Sequence, residues 1–257
     1  MASVSRAQAE GNKLPAMNPE MAKLQAVVDA LLEGRGAIRV LEAGCGSSSY
    51  LRWGPNAHLV GIDISARQLE RNDVISEKIL GDIQSYDLPA ASFDCIVCWD
   101  VLEHLPEPER ALAGFARAVK GDGIIILAFP NPLSVKGLVT KCTPHWFHVW
   151  AYRHLFGFPD AGTDDSAPFR TYLRFSLAPG AIRRFAAQHG LSVAYLRLYE
   201  ALRQRRLRER YRLTGVAWRL FKGLVRVVSL GWASADLSDC IVVLRGSRAP
   251  RGGTCTV

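Results

Sequence analysis

The chain has 257 residues, of which 49% are hydrophobic and 22% charged, and its net charge is +8. This length and composition predict one globular α/β domain with a sizeable core. No apolar run reaches the roughly 20 residues of a transmembrane helix, and the first 17 residues lack the apolar stretch of a signal peptide. We therefore expect a cytoplasmic protein with a disordered leader over 1–17. Six cysteines without disulfide-framework spacing agree with a reducing compartment.

Apolar periodicity and turn residues predict strands that alternate with helices. An Asn-Pro pair at 18–19 begins the first helix and Gly34 ends it, because asparagine caps a helix and proline suits its first turn. The later elements, in chain order, are strands over 38–43 and 58–62, a helix from about Ser65, strands over 78–80 and 93–99, a helix over 107–120, a strand over 123–129, a helix over 179–189, and strands over 191–198 and 239–244.

This alternation predicts an α/β fold with a doubly wound, mostly parallel sheet of seven strands. Two stretches interrupt the alternation, one over 131–178 after the fifth strand and one over 200–237 after the sixth. We interpret both as insertions into a single domain that covers 18–257.

A loop with closely spaced glycines follows the first strand. Gly44 and Gly46 flank Cys45, and a loop without Cβ atoms lets a ligand approach the backbone. Two details differ from a nicotinamide dinucleotide site. Ser49 stands where such sites have a third glycine, and Glu42 lies two residues before the first one. An acid at that position suits a ligand that carries a positive charge.

Further carboxylates follow the next strands. Asp63 lies 19 residues after Gly44, where a carboxylate can accept hydrogen bonds from both ribose hydroxyls. Asp82, in the run Gly-Asp-Ile at 81–83, can accept a hydrogen bond from an adenine amino group. The fourth strand continues into the run FDCIVCWDVLEHL over 93–105.

These four features, in this order, resemble the class I methyltransferases that use S-adenosylmethionine (SAM). The resemblance is strongest to the branch with a Leu-Glu-His tripeptide after the fourth strand, which includes ubiquinone-pathway O-methyltransferases and many natural-product enzymes. It covers 40–132, about the first half of the chain. It implies a Rossmann-like methyltransferase fold, SAM as cofactor and S-adenosylhomocysteine (SAH) as product. Ser48 departs from the family pattern, because many members have another glycine there.

The resemblance also implies which residues bind SAM. They are Glu42, Gly44, Cys45, Gly46, Asp63, Ile64, Asp82, Ile83 and Trp99. The loop after the first strand would hold the methionine part, and Trp99 would close over the donor. Asp63 would bind the ribose with Ile64 packing on the adenine, and the pair at 82–83 would bind the adenine.

The insertion over 131–178 is the expected acceptor site, because nine of the 23 aromatic residues lie between 144 and 177. Aromatic residues that exclude water suit a flat or hydrophobic acceptor, although they also commonly form an insertion's own core. His104, His145 and His148 are the candidate bases, since histidine titrates near working pH. For His104, a role in shaping the cofactor pocket is the alternative. His145 and His148 have no evident third ligand, so we predict no metal.

The positive charge is concentrated over 199–232. This segment contains eight arginines, one lysine and two glutamates, which give a net charge of +7. Residues 215–232 predict an amphipathic helix whose apolar face consists of Trp218, Phe221, Val225, Val228 and Trp232. Arginines beside such a face are typical of a helix in a lipid interface. We therefore expect peripheral contact with an anionic membrane. A face packed on the sheet, or an anionic acceptor steered by the arginines, are the alternatives.

Three functions remain open at this point. The first is a methyltransferase that acts on a small hydrophobic or aromatic acceptor. The second is a nucleic-acid methyltransferase that uses the arginines. Base-amine methyltransferases usually carry an Asn/Asp-Pro-Pro-aromatic motif after the fourth strand, and that place here reads Trp-Asp-Val-Leu over 99–102, so nucleic acid is not the expected partner. The third is a non-catalytic binding module, which has no use for three positioned carboxylates.

Overall fold

The computed structural model describes residues 19–155, 157–163 and 168–247, so the expected leader, the cap at Asn18 and Cys255 lie outside the described residues. One sheet has the strand order β3-β2-β1-β4-β5-β7-β6. The strands are β1 (Ile38–Ala43), β2 (Ala57–Asp63), β3 (Glu77–Leu80), β4 (Phe93–Trp99), β5 (Val119–Pro130), β6 (Leu191–Tyr199) and β7 (Asp239–Gly246). All pairs are parallel except those of β7, which runs antiparallel to both its neighbours. The predicted seven-stranded, mostly parallel sheet is confirmed.

The helices of the described residues are α1 (Pro19–Leu32), α2 (Ala66–Arg71), α3 (Pro108–Ala118), α4 (Val135–Cys142), α5 (His145–His154), α6 (Pro179–Gln188), α7 (Leu202–Arg210) and α8 (Gly215–Val228). Two short 3-10 turns, Leu102–His104 and Phe175–Leu177, lie between them. No helix in the described part of the chain is both long and apolar enough to cross a membrane.

Helices cover both faces of the sheet, because successive side chains of a strand point to opposite faces. In β5, Ile124 and Ile126 pack with α1 and α2, whereas Ile125 and Leu127 pack with α3 and α6. Cys95 and Cys98 likewise fall on opposite faces and are buried as free thiols. The sheet therefore holds two cores, and its strand ends remain available for a site.

The fifth strand begins four residues earlier than predicted. The prediction began it at Gly123, because glycine commonly marks a turn. In the structure Val119 already pairs with Phe93, and the register shifts just after that pair. A Cβ at Gly123 would lie 2.9 Å from the carbonyl oxygen of Asp94. Glycine therefore serves the close approach of two strands here and does not end the strand.

The predicted amphipathic helix is shorter and differently oriented than expected. It ends at Val228 because Leu230 and Gly231 adopt left-handed φ values of 52° and 84°, and the Gly231 amide donates to the Arg226 carbonyl at 2.7 Å. Trp232 is therefore not on the helix. None of the residues of α8 is fully buried, so its apolar side chains do not belong to either core of the sheet.

The apolar face of α8 that points to solvent also differs from the predicted one. Trp218 and Val225 are half-buried against the protein. The outward stripe consists instead of apolar side chains that are 61–76% exposed, and these are Val216, Leu220, Leu224, Val227 and Val228. Helical spacing gave both stripes, but only the tertiary structure shows which of them meets solvent.

Asp94 connects the starts of β1, β4 and β5. Its carboxylate accepts hydrogen bonds from the Arg39 amide at 2.9 Å, from the Lys120 ammonium at 2.7 Å and from the Arg35 guanidinium at 3.2 Å. Burial opposes its charge, but the Arg39 amide and Lys120 outweigh burial, so the pKa of Asp94 is lowered. The carboxylate is therefore a stabilising group only while it is ionised.

We expect Asp94→Asn to lower the free energy of unfolding by about 1–3 kcal/mol at pH 7, because three donors lose a charged acceptor. The matched control is Asp122→Asn. Asp122 also pairs with Arg35, but its side chain is 39% exposed, so the loss should stay below about 1 kcal/mol.

Urea unfolding across pH measures both variants. Since the folded pKa of Asp94 is lowered, its contribution is complete above the ordinary value of about 3.9 and disappears as the pH falls through the folded value. The difference between wild type and Asp94→Asn should therefore shrink below about pH 4. A difference that grows in acid contradicts this assignment.

Candidate active site

The glycine loop lies where β1 and β2 end side by side. Gly44 and Gly46 have left-handed φ values of 70° and 52°, which glycine adopts without strain. The amides of Gly44 and Cys45 donate to the Ile62 carbonyl at 2.8 and 3.2 Å. A Cβ on Gly44 would lie 2.5 Å from the nearest Val101 methyl. The loop therefore needs glycine at 44 so that the segment after β4 can pack against it.

Asp63, at the end of β2, holds this loop in place. One carboxylate oxygen accepts from the Gly46 amide at 2.9 Å and the other from the Ser65 amide at 2.8 Å. Ser65 in turn caps α2 by accepting from the Gln68 amide. Each carboxylate oxygen has a further lone pair, so a pair of hydroxyls can be bound at the same place. Ile64 stands beside it, 76% exposed and open to a flat ring.

The pair at 82–83 has one polar and one buried member. The Asp82 carboxylate accepts from the amide of Gln84 at 2.9 Å and from its side chain at 3.2 Å. Ile83 is only 6% exposed and belongs to the core on the α3 side. The structure thus brings Asp63 and Asp82 to the ends of neighbouring strands but leaves Ile64, rather than Ile83, open to solvent.

Glu42 lies beneath the loop. It is 5% exposed, and its carboxyl accepts from the Ser49 hydroxyl at 2.6 Å and the Trp53 indole at 3.2 Å. Burial raises its pKa, which these two donors partly offset. Cys45 is also buried, and burial together with Asp63 and Glu42 raises the pKa of its thiol to about 12. The thiol therefore stays neutral and packs.

Trp99, the last residue of β4, stacks on Tyr50. The ring centroids are 5.1 Å apart and the planes differ by 17°. Tyr50 follows the glycine loop, so the two rings join the loop to the end of β4. The sequence analysis named Trp99 but not Tyr50. Tyr50 lies four residues after Gly46 and belongs to no motif that would have indicated a role.

Beyond Trp99 lies an acidic cluster that sequence reasoning also missed: Asp100, Glu103 and Asp239, with Lys136. The Lys136 ammonium contacts both oxygens of Asp239 at 2.9 and 3.1 Å. Burial and Asp100 raise the pKa of Glu103 well above its ordinary value, and burial together with Asp239 raises the pKa of Asp100 to about 6. In the sequence, only Asp100 and Glu103 lie close to each other, whereas the other two members of the cluster are far away along the chain.

The three candidate histidines gather on one side of this cluster. His104 Nδ1 lies 2.9 Å from the Arg170 carbonyl, and burial lowers its pKa. His145 is close enough to add to that lowering, and its ring centroid is 6.5 Å from that of His148. His148 Nε2 lies 2.6 Å from the Thr143 hydroxyl. The insertion and the segment after β4 therefore adjoin, as expected of one site.

The site fits a ligand with hydroxyl and amino groups, because the Asp63 and Asp82 carboxylates can accept hydrogen bonds at the ends of neighbouring strands. The loop beside Asp63 has glycine at 44 and 46, where no Cβ blocks the approach of a ligand. The described residues contain no group of three His, Cys, Asp or Glu placed to hold a metal ion.

Comparison with known proteins agrees with this geometry. Residues 41–127 match a family described as "Methyltransferase domain". Over 182 residues the chain is 30% identical to the Ubiquinone biosynthesis O-methyltransferase of Neisseria meningitidis serogroup C, an alignment that covers 65% of this chain and 68% of that protein. The chain belongs to the class I SAM-dependent methyltransferases.

Other comparisons extend the match over more of the methyltransferase. The Ubiquinone biosynthesis O-methyltransferase of Alkalilimnicola ehrlichii is 29% identical over 225 residues, which cover 80% of this chain and 79% of that protein. A SAM-dependent methyltransferase of Mesorhizobium loti superposes with a TM-score of 0.51 at 13% identity, over 86% of this chain and 96% of that one. The last comparison shows a shared fold only. The methyltransferase is thus an enzyme that uses SAM, and the alternative of a non-catalytic module is not supported.

We expect Asp63→Asn to weaken SAH and SAM binding at least tenfold, because the amide offers one acceptor where the carboxylate offers two. Hydrogen bonds to charged groups contribute about 1.5–3 kcal/mol, and about 1.4 kcal/mol corresponds to a factor of ten. Titration calorimetry with SAH measures the effect. The control is Asp73→Asn, an exposed acid in the turn after α2, which should bind normally. Unchanged affinity of Asp63→Asn would defeat the ribose assignment.

Proposed function

We propose that this methyltransferase O-methylates a small hydrophobic or aromatic acceptor, such as a quinone-like, natural-product or lipid-linked phenol. The observation that carries the proposal is the exposure of the insertion's aromatic rings. None of its eight described aromatic residues is buried, and the rings of Trp146, Trp150, Phe158, Phe169 and Phe175 are 43–69% exposed. If these rings formed a hydrophobic core within the insertion, they would be buried.

Contacts between the insertion and the donor side support the same acceptor. The amides of Tyr172 and Leu173 donate to the Glu103 carbonyl at 2.8 and 3.0 Å. Phe169 meets the His104 ring edge to face, with centroids 5.9 Å apart. The aromatic segment is therefore anchored directly beside the residues that follow β4. Relatives named Ubiquinone biosynthesis O-methyltransferase favour an oxygen acceptor on a ring.

The chain's own contribution to such a reaction is positioning and the exclusion of water. SAM supplies a methyl group that is already activated on a positively charged sulfur. We propose that the carboxylates of Asp63 and Asp82 and the loop over 42–46 orient the donor, and that Trp99 with Tyr50 covers it. The aromatic rings and the histidines at 104, 145 and 148 border the acceptor.

A panel of acceptors tests this proposal. With radiolabelled SAM, we expect methyl transfer to 4-dodecylcatechol and faster turnover than with unsubstituted catechol, because the alkyl chain adds apolar area. Single-stranded RNA should remain unlabelled. Phe169→Ala should raise the KM for the catechol and leave SAH affinity unchanged, since the ring lies on the acceptor side. Labelling of RNA but not of either catechol would replace this function with nucleic-acid methylation.

We further propose that α7 and α8 rest on an anionic membrane surface, with the outward stripe of α8 in the lipid interface. Arg219 and Arg226 flank that stripe, and α7 with the turn after it adds more cations. The exposed arginines of the segment are Arg203, Arg205, Arg206, Arg210, Arg212, Arg219 and Arg226. Each cation near an anionic surface contributes about 1 kcal/mol, so charge and apolar stripe act together.

The arrangement of α8 on the protein supports the same surface. Arg208 pairs with Glu200 through two contacts of 2.8 and 3.1 Å and lies over the Trp218 ring at 4.9 Å. Lys222 pairs with Asp236 at 3.0 Å. These contacts anchor the inner face of α8 and leave its outer stripe free. An apolar groove of about 340 Å³ between α4 and α8, lined by Leu138 and Leu224 among others, has room for part of an acyl chain.

We expect the full chain to co-sediment with vesicles that contain phosphatidylglycerol at low salt, and less so as salt screens the arginines. Leu220→Ser combined with Leu224→Ser should abolish binding, because it removes the centre of the apolar stripe. The control is Leu80→Ser, since Leu80 is 61% exposed like Leu224 but lies on β3 at the opposite edge of the sheet. A wild type that stays in the supernatant refutes the membrane contact. A dimer that the double variant dissociates would assign the stripe to a second copy.

A further inference from the structure

We propose that Asp100 takes the proton from the acceptor hydroxyl during methyl transfer, with Glu103 as a neutral positioning residue behind it. The inference rests on the proposed O-methylation and names the base that an oxygen acceptor needs. It replaces the three histidines as candidate bases.

Asp100 stands at the edge of the sheet where the donor loop lies. It is placed between Trp99, which stacks on Tyr50, and Val101, which packs on Gly44. Its φ of 52° is left-handed, which a residue other than glycine seldom adopts, and its amide is fixed by a 2.9 Å hydrogen bond to the Ala128 carbonyl. Such a conformation persists only where the surrounding structure enforces it, commonly at functional sites. Surrounding protein atoms desolvate its carboxyl, which raises its pKa, yet the residue keeps exposed surface that an acceptor can reach.

Charged and titratable groups from every neighbouring element face Asp100. They are Asp239 on β7, Lys136 on α4, Arg203 on α7, Cys98 on β4, Glu103 in the 3-10 turn, Tyr50 after the glycine loop and Tyr199 on β6. The Trp99 indole donates a hydrogen bond to Asp100. The cluster thus contains three carboxyl groups but only two cations, Lys136 and Arg203. Lys136 already forms an ion pair with Asp239. This balance favours the retention of one proton in the cluster.

Glu103 is the member that retains this proton. It is 4% exposed, and its Oε2 has no hydrogen-bond partner. A buried carboxylate without a partner costs far more free energy than a buried carboxylic acid, because the charged form loses more hydration. Burial and the Asp100 charge raise the pKa of Glu103 well above its ordinary value. Asp100 titrates first and is ionised at neutral pH, so it is the group able to accept a proton.

Two of the three histidines, His104 and His148, have hydrogen-bond partners in the insertion. His104 Nδ1 lies on the Arg170 carbonyl, and its Nε2 lies 3.9 Å from Glu103 Oε1. His148 Nε2 lies on the Thr143 hydroxyl. Burial also lowers the pKa of both rings.

The proposed step needs only the acceptor hydroxyl, the methyl donor and the Asp100 carboxylate. The acceptor oxygen bonds to the methyl carbon as its O–H bond breaks, and the proton passes to the Asp100 carboxylate. The methyl–sulfur bond breaks with its electron pair going to sulfur, which becomes the neutral sulfide of SAH. Asp100 then releases the proton to solvent.

A titration that needs no acceptor tests the base. In the full chain with SAH bound and aspartate side chains labelled with ¹³C, we expect the Asp100 carboxyl to titrate near pH 6. Asp239→Asn should lower that midpoint because it removes a negative neighbour, and Lys136→Gln should raise it. Asp122→Asn, at the other end of the sheet, should leave it unchanged. A midpoint near the ordinary value of about 3.9, or one that neither variant moves, overturns the proposal.

Kinetics with 4-dodecylcatechol supply the second readout. Asp100→Asn should lower kcat about 100-fold or more with SAH affinity unchanged. Asp100→Gly, which suits the left-handed backbone, should regain activity with formate, a small replacement carboxylate. The acidic limb of kcat should move with the Asp239 and Lys136 variants as the titration does. Full activity of Asp100→Asn overturns the proposal. If no catechol is methylated by the wild type, the proposed function fails, and the titration alone decides on Asp100.

Discussion

Val101 packs its side chain against the backbone of Gly44, in space that any other residue at position 44 would fill. This contact holds the end of β4 against the loop after β1, its parallel neighbour in the sheet. Because β1 also pairs in parallel with β2, the same loop lies against the end of β2. Asp63 then reaches the Gly46 amide, and Trp99 reaches Tyr50. The donor side of the methyltransferase depends on one missing Cβ, because all these contacts require the two strand ends to touch.

The site uses carboxyl groups in two different environments. Asp63 and Asp82 accept hydrogen bonds from backbone amides, so their oxygens have fixed directions before any ligand arrives. The carboxyls beyond Trp99 have few donors and are surrounded by protein, which makes one of them retain its proton. We propose that the first environment orients the methyl donor and that the second accepts a proton. Both lie at one edge of the sheet, on either side of the same strand end.

Much of the fold and the donor side could be predicted from the sequence, because those signals are local. The first and fourth strands were predicted to the residue, and Asp63 is the last residue of its strand. The acidic cluster could not be predicted, since Lys136 and Asp239 are 103 residues apart and meet only through the order of β5 and β7. The outward face of α8 was assigned wrongly for a similar reason. Helical spacing gives an apolar stripe, but contacts such as that of Arg208 with Trp218 decide which side faces the protein.

The last strand pair has a consequence for how such a protein changes over generations. Tyr199 and Asp239 are direct partners across β6 and β7, so the 39 residues between them leave and re-enter the sheet at a single point. Their length does not alter the register of either strand, since both ends are fixed by the same pair. The length of the α7–α8 segment is thus independent of how the two strands pair. Lineages can therefore lengthen or shorten this segment away from Arg203, which faces Asp100, while the sheet that carries the glycine loop is inherited intact.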